Sequence, residues 1–237
     1  MEKKSLQFPL DGKILAVCKP RDWTSFDVVN KIRRLTRIKK VGHAGTLDPF
    51  ATGVLLICLG SATRQSATLM DLPKEYLAEI ALGSETDTQD LTGKVITEKR
   101  VPLLDAAQIE AALQSFSGEI EQEIPAYSAA KVEGQRLYKL ARKGKETPQL
   151  RKKVVIYRID LLEWGADFIK IRVACGRGTY VRTLARDIAR KLDTAGHLRV
   201  LVRTRVGDYT LEEALTIEEL QQQLNQNKNY VAANRQE

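Results

Sequence analysis

The chain has 237 residues, 43% of them hydrophobic, enough to bury a sizeable core in one large domain or one domain with an appendage. A net charge of +8 points to anionic partners, while no apolar run approaches the eighteen or so residues of a membrane span. Met1-Glu2-Lys3-Lys4-Ser5-Leu6 lacks the apolar stretch of a secretory signal. Cys18, Cys58 and Cys175 are too scattered for a zinc site or a disulfide framework, which predicts buried thiols in a reducing cytoplasm.

Residues 12–18 read as a strand. Ser25 is the predicted N-cap of a helix with Val28, Val29, Ile32 and Leu35 on one face and Arg33, Arg34 and Arg37 elsewhere. Residues 42–53 follow as Gly42-His43-Ala44-Gly45-Thr46-Leu47-Asp48-Pro49-Phe50-Ala51-Thr52-Gly53. Three glycines and a proline in twelve residues speak against a helix or a regular strand. The segment nevertheless runs straight into Val54-Leu55-Leu56-Ile57-Cys58-Leu59, a predicted buried strand. A polar loop is thereby anchored on the core, carrying Asp48 and one of the two histidines. Rigidly placed loops are where reactive groups are found, although an Asp-Pro pair also serves as an ordinary turn.

Ser61 can cap a short helix reaching Leu69. Residues 74–99 read as a hairpin-like pair, Tyr76 to Leu82 and Lys94 to Thr97, with a long connection. Asp105 and Gln108 form a predicted capping pair for a helix through Phe116. Residues 125–151 mix Pro, Gly and cations with a short helical pattern at Leu137, Leu140 and Ala141, expected as a helical excursion or mobile arm outside the core. Strands at 154–162 and 168–175 precede a helix opened by Thr179, with Val181, Leu184, Ala185, Ile188 and Leu192 inward. A strand at 198–206 follows, then Thr216 to Glu219 as a capping box for a final helix. The Gln/Asn-rich residues 221–237 are expected to be frayed or disordered. Strands interspersed with helices, without repeating βαβ units, predict an α+β fold: a mixed, largely antiparallel central sheet flanked by helices. With no repeat and no linker, the expectation is a single domain over 1–237, with 125–151 as an inserted arm and 207–237 as a C-terminal helix and tail.

Charge is segregated along the chain. Residues 31–40, 131–153 and 177–205 hold 23 of the 38 Lys and Arg and only four of the 30 acids, Glu133, Glu146, Asp187 and Asp193. Converging in space, such segments would bind a polyanion; apart, each would be a solvated face.

The twelve-residue loop resembles the signature of the TruB family of RNA pseudouridine synthases, in which a Gly-His-x-Gly-x-Leu-Asp-Pro-x-Ala-x-Gly run carries the catalytic aspartate. The likeness extends to Lys19-Pro20 with Trp23-Thr24-Ser25-Phe26-Asp27, to Lys74-Glu75-Tyr76 with Gly83, Thr86-Asp87-Thr88 and Asp90, to Tyr127-Ser128-Ala129-Ala130-Lys131, and to Gly176-Arg177-Gly178-Thr179-Tyr180-Val181-Arg182-Thr183-Leu184. It covers residues 12 to 206 in the family's order. It departs where the family has glycine and this chain has Asp22, and in leaving no room for the family's C-terminal PUA barrel.

The resemblance implies the pseudouridine synthase fold and conversion of the T-loop uridine of tRNA, U55, to pseudouridine. That isomerisation breaks the N1–C1′ bond, rotates the uracil and joins C5 to C1′. It is neither redox nor hydrolysis, so no cofactor and no metal are expected. It needs an ionised carboxylate beside the sugar and base, acting as nucleophile or as base, and the resemblance makes that group Asp48. Arg182 is implied as the cation that keeps it charged. A stacked base must be flipped out to be reached; the implied surroundings of that base are Tyr76, Tyr180 and Leu201, with His43 occupying space in the RNA loop. Lys19, Arg64 and Lys131 are expected at phosphates. His197 is expected to be structural. The implied partner is the tRNA T-stem-loop, with no membrane, no obligate protein partner and a monomeric enzyme. An idle RNA-binding module would share the basic clusters without needing Asp48 and Arg182 together. A nucleotide-using enzyme is disfavoured by the lack of G-x-x-x-x-G-K-[ST] and G-x-G-x-x-G. A sibling synthase acting on ribosomal or small nuclear RNA shares the same signature.

Overall fold

The computed structural model describes residues 6–132 and 134–233. In chain order the elements are β1 (Ile14–Lys19), α1 (Ser25–Thr36), β2 (Val41–Ala44), β3 (Thr52–Leu59), a 3-10 turn (Gly60–Gln65), α2 (Ser66–Asp71), β4 (Lys74–Leu82), β5 (Ser84–Thr86), β6 (Val95–Glu98), α3 (Ala106–Gln114) and β7 (Gly118–Glu123). Then come β8 (Lys131–Val132), β9 (Gln135–Arg136), α4 (Leu137–Ala141), β10 (Arg151–Trp164), β11 (Phe168–Cys175), α5 (Val181–Lys191), β12 (Gly196–Val206), β13 (Tyr209–Thr210) and α6 (Ile217–Ala233). The fold is α+β, with a mixed, mostly antiparallel central sheet, as the sequence predicts. The chain folds as two compact units: one joins the residues through Glu75 to those from Val202 onward, and the other is Tyr76–Leu201.

In the first unit the order is β1–β3–β12, with β2 also on β3 and β13 on the end of β12. β1 and β2 run antiparallel to β3, whereas β12 runs parallel to it. The unbroken apolar run of β3 follows from burial on both faces. Leu55, Ile57 and Leu59 pack with Val28, Val29 and Ile32 of α1 and with Ile217, Leu220 and Leu224 of α6. Val54, Leu56 and Cys58 face Ala62, Leu69, Val206 and Ala214. The twelve-residue signature is only partly loop: Gly42–Ala44 belongs to β2, and Thr52 and Gly53 open β3. At Gly53 the reason for a glycine in a strand is the Arg203 backbone, whose carbonyl oxygen lies where a Cβ would go.

In the second unit the order is β12–β4–β11–β10–β7, with α3 packed on β10 and on α5. The inward residues predicted for α5 are buried: Val181, Leu184, Ala185, Ile188 and, just beyond its end, Leu192. The hairpin expected over 74–99 does not form. β4 lies in the large sheet, and β5 pairs with β6 in a separate two-stranded ribbon. In the arm, β8 pairs with β9 and leads into α4, whose Leu137 is fully buried and therefore core, contrary to expectation.

The tail expectation also needs correction. Thr216 and Glu219 form the predicted capping box, and α6 continues through the Gln/Asn-rich stretch to Ala233, leaving 234–237 outside the described residues. Met1–Ser5, read above for a signal, lie outside them too.

Candidate functional site

The loop between β2 and β3 is held at every turn. Leu47, Phe50 and Ala51 are buried, so the half-buried Asp48 stands between hydrophobic anchors. A tight turn closes beneath it, Ala51 N donating to Asp48 O at 3.1 Å. Ser25 Oγ accepts from Leu47 N at 2.9 Å and donates to Leu47 O at 3.2 Å, which fixes the residue before Asp48 on both polar groups. Asp22 N donates to Pro49 O at 2.8 Å, fixing the residue after it.

Two buried cations complete the support. Lys19 is 0% exposed, and its Nζ donates to the carbonyls of Trp23 (2.6 Å), Pro20 (2.8 Å) and Pro49 (2.9 Å). Burial pushes its pKa down to about 8, opposed by the charges of Asp22 and Asp48. With all three donors spent on carbonyls, Lys19 cannot also serve a phosphate; the expected phosphate contact is replaced by a loop-holding role. Arg203 is 1% exposed; its Nε donates to Val54 O at 2.6 Å and its Nη2 to Gly45 O at 3.1 Å. One guanidinium thus ties the start of the loop to its end. The signal for it was in the sequence, a cation two residues past Leu201 inside the predicted strand 198–206, and it was passed over as one more member of a basic cluster.

His43 lies on β2 opposite Ile57. Burial first, and the Arg203 charge second, hold its pKa below the usual value, so the ring is neutral at neutral pH. Its Nδ1 is buried without a hydrogen-bond partner among the described residues. Arg64 is exposed on the 3-10 turn.

The second unit carries the other predicted residues. Arg182, on the first turn of α5, is 3% exposed and donates Nη1 to Thr88 O at 2.7 Å and Nη2 to Tyr127 O at 3.0 Å, with Asp90 Oδ2 3.4 Å from Nη1. Asp90 is itself held by Thr88 Oγ1 (2.8 Å), Thr92 N (2.9 Å) and Thr92 Oγ1 (2.6 Å). Tyr180 is the residue before α5. Tyr76 on β4 and Leu201 on β12 are buried on neighbouring strands, and Lys131 is exposed on β8. His197 Nδ1 lies 2.9 Å from Ser84 O.

The basic segments divide sharply. In 177–205 most guanidinium groups are spent internally: Arg186 on Glu123 (3.0 Å), Arg190 on Glu85 (2.6 Å), Arg199 on Glu79 (2.5 Å) and Arg205 on Glu75 (3.7 Å). The acids come from other parts of the chain, which is why the run looked unbalanced in sequence. By contrast Lys131, Arg136, Lys139, Arg142, Lys143 and Lys145 of the arm are exposed and form no ion pair among the described residues.

A profile described as TruB family pseudouridylate synthase (N terminal domain) matches residues 33–181, and one described as tRNA pseudouridylate synthase B C-terminal domain matches residues 182–235. The tRNA pseudouridine synthase B of Caldanaerobacter subterraneus subsp. tengcongensis is 46% identical over 214 residues, 90% of this chain and 75% of that one. The protein of the same name from Phocaeicola vulgatus is 46% identical over 222 residues, 91% of this chain and 94% of that one. Among solved structures, a chain of a Cbf5-Nop10-Gar1 complex superposes with a TM-score of 0.71 at 28% identity over 90% of this chain, which spans only 54% of that longer one.

Proposed function

Because the chain belongs to the TruB family of pseudouridylate synthases, we propose that it converts the T-loop uridine of tRNA, U55, to pseudouridine, with Asp48 as the group that does the chemistry. Membership makes it a pseudouridine synthase, named in its relatives for action on tRNA. The finer reading rests on one observation above all: a half-buried carboxylate on a loop anchored by the buried Leu47, Phe50 and Ala51, with its Pro49 and Gly45 carbonyls tied to Lys19 and Arg203. A turn needing only an Asp-Pro pair has no use for two buried cations. A reacting carboxylate does, since a misplacement of even 1 Å at the attacking group is costly in rate.

In this reading Asp48 attacks C1′ or the base, or removes a sugar proton, once the uridine is extruded. Arg182 is the cation assigned to this chemistry, and its orientation is set by Thr88, Tyr127 and Asp90. Tyr76, Tyr180 and Leu201 receive the base. The neutral His43 ring, whose Nδ1 has no hydrogen-bond partner among the described residues, is suited to displacing the uridine and hydrogen-bonding within the RNA loop rather than to carrying charge. Arg64, Lys131 and the arm hold phosphates. The chemistry is redox-neutral and needs no cofactor, and the enzyme acts as a monomer in the cytoplasm.

The test is tritium release from tRNA transcript labelled at C5 of uridine. Release from the native transcript and none when the T-loop uridine is replaced by cytidine is the expected pair of results. Undiminished release from the cytidine transcript would move the target elsewhere in the RNA and sink the U55 assignment.

A further inference from the structure

We infer that Gln122 and Lys152, a cross-strand pair on β7 and β10, are positioning residues that together aim the Tyr180 ring at the substrate base. The inference rests on the proposed contact between Tyr180 and the extruded uridine. It concerns residues outside every motif that carried the family resemblance.

Gln122 and Lys152 face each other in the β7–β10 ladder. Directly opposed residues on one face of an antiparallel pair act as a unit. Gln122 is buried, and its amide group is used on both sides: Oε1 accepts from Tyr180 N at 2.7 Å and Nε2 donates to Tyr180 O at 3.0 Å. One side chain therefore reproduces, for the single residue Tyr180, the paired backbone bonds of a strand neighbour. This explains how Tyr180 keeps an extended backbone (φ −96°, ψ 103°) at the mouth of α5, where no side-chain cap holds the helix end.

Lys152 acts on the ring. Its Nζ lies 4.1 Å from the Tyr180 ring centroid, within cation–π range, and also donates to Gly178 O. Gly178 takes φ +82°, and a Cβ there would meet Lys152 Nζ at 2.9 Å, so the lysine lies directly across the loop leading to Tyr180. The backbone of Tyr180 is thus fixed from β7 and its ring from β10. The ring is only half-buried, and its hydroxyl makes no hydrogen bond among the described residues. The ammonium holds one ring face, so in this inference the base stacks on the other.

The test compares single-turnover rates and tRNA Kd for the full chain with Lys152→Met, Lys152→Arg, Tyr180→Ala and the double variant Lys152→Met/Tyr180→Ala. Lys152→Met should slow the rate about tenfold with Kd within about twofold of wild type, since aim is lost and phosphate contacts are not. Lys152→Arg, which keeps a cation on the ring, should recover most of the rate. The double variant should be no slower than Tyr180→Ala alone, because both changes remove one function. A wild-type rate in Tyr180→Ala would refute the reading of Tyr180 itself. A slowed Tyr180→Ala beside a full-rate Lys152→Met, or losses that multiply in the double variant, would overturn the positioning role alone. Should Lys152→Met lose its thermal transition, Lys152→Gln is read by the same criteria.

Discussion

Gly53 sits between two backbones. In the ladder it opposes Lys19 on one side and Arg203 on the other, at φ +105°, and a Cβ there would collide with the carbonyl oxygen of Arg203. Both the left-handed backbone and the contact exclude a side chain. Gly53→Ala should therefore lose several kcal/mol of stability in urea unfolding, on the order of 3 or more; a loss below about 1 would show that the two cations' strands are not locked together there. Asp22 is the converse case. It stands where the family resemblance leads one to expect glycine, and it takes φ +65°. Asp tolerates this conformation better than most residues, so Asp22→Gly should stay within about 1 kcal/mol of wild type while Asp22→Val loses about 1–2. At this scale the sequence conveyed identity but not direction. Asp48 and His43 were legible because glycine, proline and polar residues crowd beside an apolar strand. That Lys19 points inward to three carbonyls was not, since a lysine after a strand reads as a surface cation until the chain folds over it.

Two adjacent residues at the start of α1 separate stability from function. Ser25 was expected to cap the helix, but Thr24 does so: its Oγ1 accepts from Asp27 N at 3.1 Å, and Asp27 returns a bond from Thr24 N at 2.8 Å. Ser25 is one residue inside and instead fixes Leu47. Thr24→Ala should cost about 1 kcal/mol of stability and leave the turnover rate unchanged, whereas Ser25→Ala should slow turnover by releasing the residue next to Asp48. Equal rates in the two variants would remove the loop clamp from this account. Elements with a periodic or continuous apolar pattern, β3, β11 and α5, were legible. The strand β7, Gly-Glu-Ile-Glu-Gln-Glu, was missed because it is polar and mostly exposed, its place set by its partner β10 rather than by its own composition. The β5–β6 ribbon was misassigned because β5, Ser84–Thr86, is short and polar though largely buried, and its pairing with β6 is not written in its own composition.

Over the whole chain, a sequence-level count of cations overstated the surface available to RNA. Acids distant in sequence neutralise most of the 177–205 segment, whereas the arm, and Arg34, Arg37, Lys39 and Lys40 of the 31–40 segment, keep exposed cations without an ion pair among the described residues. Replacing Lys139, Arg142 and Lys143 together by Gln should flatten the dependence of log Kd for tRNA on log salt by roughly two to three units if each meets a phosphate. Arg190→Gln should leave that slope unchanged, because Arg190 is held by Glu85. A triple variant with wild-type salt dependence would show that RNA affinity lies elsewhere.

The chemistry itself is tested most directly at Asp48, by measuring tRNA affinity and tritium release side by side in wild type and Asp48→Asn. The amide preserves the size and turn geometry of the residue and removes only its charge, so the account predicts native affinity with release abolished. Tritium release by the asparagine variant at the wild-type rate would contradict it.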